Sequence, residues 1–214
     1  MIIDGHPNES YLLVYGDIDR FKHGKLRWLG KKDTVVVLGD FGFVWDGGAE
    51  EQKKLDWLRK RPYTLLFLDG SHENYDLLAQ YPETERFGGR VQSLGGNVYH
   101  VCRGSVLELE GKKYLFAHAM TSHPDVREED RYYMRGTMDI DCFFFEGIDG
   151  YISMCGHTPT DSIVWKKDRR YLDEPGNSIW CNDRHNVYLL DCGCGFAGGR
   201  LACLCLETKE RFYA

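Results

Sequence analysis

Apolar residues along this chain fall in short continuous runs, most of them closed by glycine and a polar or charged residue. The clearest is Val35-Val36-Val37-Leu38 followed by Gly39-Asp40. Three β-branched residues and a leucine predict a strand buried on both faces, as in a parallel or mixed sheet. Glycine lets the backbone turn sharply, which places Asp40 at the carboxyl end of that strand. Residues 11–15 (Tyr-Leu-Leu-Val-Tyr) predict a strand ending in Gly16-Asp17-Ile18-Asp19, and residues 64–68 predict one running into Asp69-Gly70-Ser71-His72-Glu73. Residues 49–61 predict an amphipathic helix with Leu55 and Leu58 inward, stopped by Pro62, and residues 74–81 a helical turn or two before Pro82. Alternating strands and helices make this half α/β.

The second half reads as strands over residues 98–102, 105–110, 113–117 and 151–155. Strands over 187–191 and 201–206 flank the glycine-rich stretch 192–199, and 210–213 adds an edge. Residues 1–10 read as a polar lead-in and 127–136 as a charged, aromatic helix; 161–186 give no clear pattern. With no linker, low-complexity tract or repeat beyond the recurring Gly-Asp, residues 1–214 read as a single domain.

A formal net charge of −6 argues against general nucleic-acid binding. No apolar run is long enough to span a membrane, and the expected location is cytoplasmic. Eight cysteines lack the spacing of a disulfide scaffold. The pairs Cys192-x-Cys194 and Cys203-x-Cys205 have the composition of a four-thiolate zinc site, but they sit in apolar strand patterns without C-x2-C spacing and read instead as small hydrophobes.

The strand ends deliver Asp17 and Asp19, Asp40, Ser71 and His72, His118, and His157. A lone Gly-Asp after a strand is usually a turn. Several such ends carrying carboxylates and imidazoles suit divalent Mn, Fe, Zn or Mg better than Ca. Two such ions about 3.5–4 Å apart polarise a phosphoryl group and activate water.

These residues carry a resemblance. Gly16-Asp17-Ile18-Asp19, Gly39-Asp40, Gly70-Ser71-His72-Glu73, His118-Ala119 and Gly156-His157-Thr158-Pro159 resemble, in order, the GDxHG, GDxxD or GDFG, GNHE, HAG and GHTP motifs of the calcineurin-like metallophosphoesterases. Phe116-Ala117-His118-Ala119 and the stretch from Gly199 to Leu204 are similar to the bacterial and phage serine/threonine protein phosphatase branch. The resemblance implies two facing mixed β-sheets flanked by helices, a four-layer sandwich. It implies a dinuclear centre, most simply Mn, with Asp17, Asp19 and Asp40 on one ion and Asp40, Ser71, His118 and His157 on the other. His72 would serve the leaving oxygen while metal-bound hydroxide attacks in line. Arg135, in Tyr133-Met134-Arg135-Gly136, would grip phosphate, with Arg131 and Arg103 behind it. The implied partner is a phosphorylated protein or a small nucleotide-type molecule. Asp19 stands where the family has His, and Ser71 where it has Asn, so the second reading is a weak or inactive relative that serves as a metal- or phosphate-binding module. The loop bearing Phe41, Phe43 and Trp45, beside the site, is of a kind to stack a base or to be simple core, and core is the favoured reading.

Overall fold

In the computed structural model the described residues are 2–3, 24–119, 146–162, 164–165, 169–170 and 177–213. The expected strand at 11–15, with Asp17 and Asp19, and the expected helix at 127–136, with Arg131 and Arg135, lie outside them.

The short strand β1 (Ile2–Ile3) comes first, and the buried apolar runs form β2 (Thr34–Val37) and β3 (Thr64–Phe67), as their residue types dictate. Between β2 and β3 runs α1 (Ala49–Arg59), which buries Leu55 and Leu58. After β3 comes the single turn α2 (Tyr75–Leu78), capped by the Asn74 side chain, which accepts from the Leu77 amide. Then follow β4 (Glu83–Arg86), β5 (Gly89–Gly95) and β6 (Val98–Val101). The hairpin of β7 (Val106–Leu109) and β8 (Lys112–Ala117) turns at Glu110 and Gly111. Later come β9 (Ile152–Cys155), the short pair β10 (Val164–Trp165) and β11 (Arg169–Arg170), and β12 (Trp180–Cys181). The chain closes with β13 (Val187–Leu189), β14 (Ala202–Leu204) and β15 (Arg211–Tyr213).

These strands build an eight-stranded mixed sheet, ordered β15-β14-β1-β2-β3-β6-β5-β4, and a five-stranded mixed sheet, ordered β12-β13-β9-β8-β7. One apolar core lies between them: Val36, Leu38, Leu66 and Leu68 of the large sheet pack with Tyr114, Phe116, Met154 and Tyr188 of the small one. A second core on the outer face of the large sheet joins Val35, Val37, Leu65 and Phe67 to Leu55 and Leu58 of α1 and to Phe41 and Phe43. Alternate residues of β2 and β3 thus enter opposite cores, which explains the unbroken apolar runs. The expected α/β fold with two facing mixed sheets is the observed one.

Three expectations need correction. Residues 2–3 are not loose lead-in: β1 pairs parallel with β2 and antiparallel with β14. The segment 83–95 gave no strand signal because β4 is wholly exposed, yet it pairs with β5 over four register positions. The strands flanking the glycine-rich stretch are not neighbours: β13 belongs to the small sheet and β14 to the large one. The C-x-C pairs therefore do not face each other on adjacent strands. Among the described residues no group of three or more His, Cys, Asp or Glu is placed to hold a metal ion, a thiolate group included.

Candidate metal-centre half-site at the strand ends

Two pairs of neighbouring parallel strands end at one place. β2 and β3 are in register, Val37 opposite Phe67, so Leu38-Gly39-Asp40 and Leu68-Asp69-Gly70-Ser71-His72 leave the large sheet side by side. β8 and β9 are likewise in register, Ala117 opposite Cys155, and release His118 and Gly156-His157 from the small sheet. The Gly156 amide donates to the His118 carbonyl at 3.1 Å.

Asp40 joins the two halves. It is fully buried. Its Oδ1 accepts from the His72 backbone N–H at 3.0 Å, lies 3.4 Å from Ser71 Oγ, and is 3.3 Å from His72 Nδ1. Its Oδ2 lies 3.6 Å from Nε2 of His118, which is also fully buried. That separation is beyond a direct hydrogen bond and suits two donors that share a cation. His118 Nδ1 lies 3.2 Å from the Leu38 carbonyl. A carbonyl only accepts, so Nδ1 carries the proton and Nε2 presents its lone pair toward Asp40, the outer-partner device that orients ligating histidines. The His157 ring is 4.7 Å from that of His118, centroid to centroid.

Close approach makes two glycines necessary. A Cβ on Gly39, whose φ is 92°, would stand 2.2 Å from His118 Nδ1; one on Gly70 would stand 2.2 Å from Asp40 Oδ1. Asp40 (φ 46°) and His157 (φ 67°) both hold left-handed backbone without being glycine. Strain of this kind persists where the surroundings fix it, and it collects at functional turns.

Other groups brace these residues. Glu73 is buried, accepts from the amides of Gly42 (3.0 Å) and Gly70 (2.6 Å), and so ties the β2 turn to the β3 turn. Burial, with the Asp40 charge behind it, pushes its carboxyl up to about 8. Asp69 is braced from behind: Oδ1 is 2.9 Å from His100 Nε2, and Oδ2 accepts from Arg103 Nε at 2.5 Å. Burial pushes Asp69 up, but the His100 hydrogen bond and the charges of His100 and Arg103 outweigh it and hold the carboxyl below its ordinary value. Arg103, a reserve phosphate clamp in the sequence reading, is committed to Asp69. No local spacing links His100 to Asp69, 31 residues earlier. Asp191 ends β13 in the same strand-then-Asp pattern and is fully buried, its Oδ1 accepting from the Gly193 amide at 2.7 Å.

Asp40, Ser71, His72, His118 and His157 thus sit on adjacent strand ends, whereas Asp17, Asp19 and Arg135 lie outside the described residues. The donors present fit a divalent ion. They combine a buried carboxylate and an imidazole with its tautomer set, in a cradle that a Cβ at position 39 or 70 would fill.

A comparison with curated proteins gave no match. Residues 7–191 match the family described as calcineurin-like phosphoesterase, and that span contains every strand end of the site. The chain belongs to the calcineurin-like phosphoesterase family.

Proposed function

We propose that this protein is a metal-dependent phosphoester hydrolase whose single domain carries a dinuclear centre at the shared strand ends. The observation that carries the proposal is Asp40. One carboxylate oxygen faces the Ser71-His72 turn of the large sheet, and the other faces His118 of the small one. Asp17, Asp19 and Asp40 would hold one ion, and Asp40, Ser71, His118 and His157 the other. Bound Mn²⁺ would supply positive charge that activates water and polarises the phosphoryl group.

The chain's own residues do the rest. The Gly42–Glu73–Gly70 link keeps the two turns together. His72 directs Nδ1 toward Asp40, which places Nε2 on the opposite edge of the ring, where a proton can pass to the departing ester oxygen. Arg135 would hold phosphate oxygens through its guanidinium fork. The substrate is a phosphorylated protein, as in the bacterial and phage serine/threonine phosphatase branch, or a small nucleotide-type ester.

A second reading rests on Ser71. Its hydroxyl lies 3.1 Å from His72 Nδ1 as well as 3.4 Å from Asp40, so it is drawn to its neighbours. A hydroxyl so engaged is a weak ligand, and the chain would then be a slow or inactive metal- and phosphate-binding module.

The test is hydrolysis of p-nitrophenyl phosphate by chelator-stripped protein before and after Mn²⁺ is restored, with His72→Asn alongside. Metal-dependent turnover that falls in the variant supports the hydrolase. Metal bound without turnover supports the binding module.

A further inference from the structure

The loop after Asp40 divides its aromatic residues in a way no local pattern foretells. Phe41, Phe43 and Val44 are fully buried, yet Trp45, next in line, is 48% exposed. Across from it Tyr75 is 43% exposed. Together with Glu73, Asn74 and Asp76 these two rings line a cavity of about 330 Å³.

The Trp45 backbone and the Tyr75 side chain are held in place. The amides of Trp45, Asp46 and Gly47 donate to the Glu51 carboxylate at 2.6, 3.0 and 3.0 Å. Asn74 clasps the same segment from the other side: its side-chain amide donates to the Trp45 carbonyl (2.8 Å) and its backbone N–H to the Val44 carbonyl (2.9 Å). The Tyr75 hydroxyl donates to the Gly70 carbonyl, and the Arg103 guanidinium lies 5.1 Å from the centre of the Tyr75 ring. The cavity also adjoins the strand-end turns. Glu73 in its wall accepts from Gly42 and Gly70, and Gly70 directly precedes Ser71-His72.

Resting on the hydrolase reading, we propose that this cavity binds a planar, nucleobase-type ring carried by the leaving group of the substrate, with Trp45 as the stacking surface and Asp76 as acceptor for an amino group on the ring edge. The chemistry of the wall selects this occupant. Its described residues hold two carboxyl groups and no Lys or Arg, so an anionic phosphate belongs at the turns rather than here. A cavity near the lower end of the range for small-molecule sites, about 300–1,000 Å³, takes one ring system rather than a length of peptide. The cation-attracting ring of Tyr75 already has Arg103 beside it, which disfavours an ammonium group. Every base offers a flat face to an aromatic side chain, so an exposed tryptophan on a fixed backbone serves such a ring well.

Adenosine carries the ring without the phosphate, so calorimetric titration with it reads the cavity without metal or turnover. We expect saturable binding that weakens about tenfold or more in Trp45→Ala and stays within about threefold in Trp45→Phe, both checked for an unchanged circular dichroism spectrum. With Mn²⁺ restored, kcat/KM for AMP relative to glycerol 2-phosphate should fall by a similar factor in Trp45→Ala, mainly through KM. Heat with tetramethylammonium and none with adenosine would overturn the proposal, as would adenosine binding indifferent to Trp45→Ala. Adenosine binding at Trp45 without metal-dependent hydrolysis of any ester would keep the cavity assignment and sink the hydrolase. Hydrolysis without adenosine binding would do the reverse.

Discussion

The two halves of the strand-end site use the same construction for different chemistry. In each sheet a pair of parallel strands in register ends side by side, and each pair is followed by polar residues. The large sheet contributes carboxyl and hydroxyl groups from Asp40, Asp69, Ser71 and Glu73, with His72; the small sheet contributes the imidazoles of His118 and His157. Three carboxyl groups crowd the first half, and their acidities diverge. Asp69 is held down by His100 and Arg103, while Glu73, buried with Asp40 close by, is driven up. The second half adds imidazole donors, with no negative charge from either His118 or His157. Arg103 offsets the Asp69 charge and burial disfavours that of Glu73, so Asp40 is the carboxylate this half offers a cation, and the imidazole half adds donors without negative charge. Asp40, reaching both, makes the halves one site.

The comparison breaks most completely at Asp40. Asp40→Asn should reduce hydrolysis to background and remove divalent-ion binding, measured by phosphate release and Mn²⁺ titration; surviving activity would overturn its bridging role. His118→Asn attacks only the imidazole half. It should weaken Mn²⁺ binding by more than the roughly 10–100-fold typical of outer partners, read by the same titration. His72→Asn should leave Mn²⁺ affinity nearly intact while kcat falls about 10²–10⁴-fold, as expected for lost proton transfer.

Smaller effects sharpen the picture. Gly70→Ala would press a methyl group against Asp40 and should cost about 1–3 kcal/mol of stability, seen as a lower urea midpoint. Tyr63 lies just before β3, away from the site, and its buried hydroxyl has no hydrogen-bond partner. Tyr63→Phe should therefore stabilise the fold by about 1 kcal/mol. Burial raises the Tyr63 phenol to about 12 from an ordinary value of 10.0. The folded state thus keeps its proton where the unfolded chain loses it, and this group's contribution is intact below pH 10 and lost as pH rises toward 12. Urea midpoints across that window should fall less in Tyr63→Phe than in the parent protein.

Much of the fold and part of the site were legible in the residues themselves. Strands β2, β3, β8, β9 and β13 announced themselves as apolar runs, because burial on both faces removes the need for polar alternation. Asp40, Ser71, His72, His118 and His157 could be picked out because each follows such a run at a turn. The exposed strand β4 and the two-residue β1 could not: the first buries none of its residues, and the second is too short to carry a pattern. Asp69 and His100 were equally silent: their hydrogen bond depends on β3 and β6 lying next to each other.

Where strands stop and what stands at their ends can be read from neighbouring residues, because strand formation and turn chemistry are local. Long-range packing settles which ends meet. It sent β13 and β14 to different sheets and brought Asp40 to His118 across 78 positions. It tied Glu73 to Gly42, and it left Trp45 at the surface beside Tyr75 while its neighbours entered the core. Those outcomes depend on strand pairing and on the packing of one sheet against the other, which are properties of the whole chain and leave no mark on any single stretch of it.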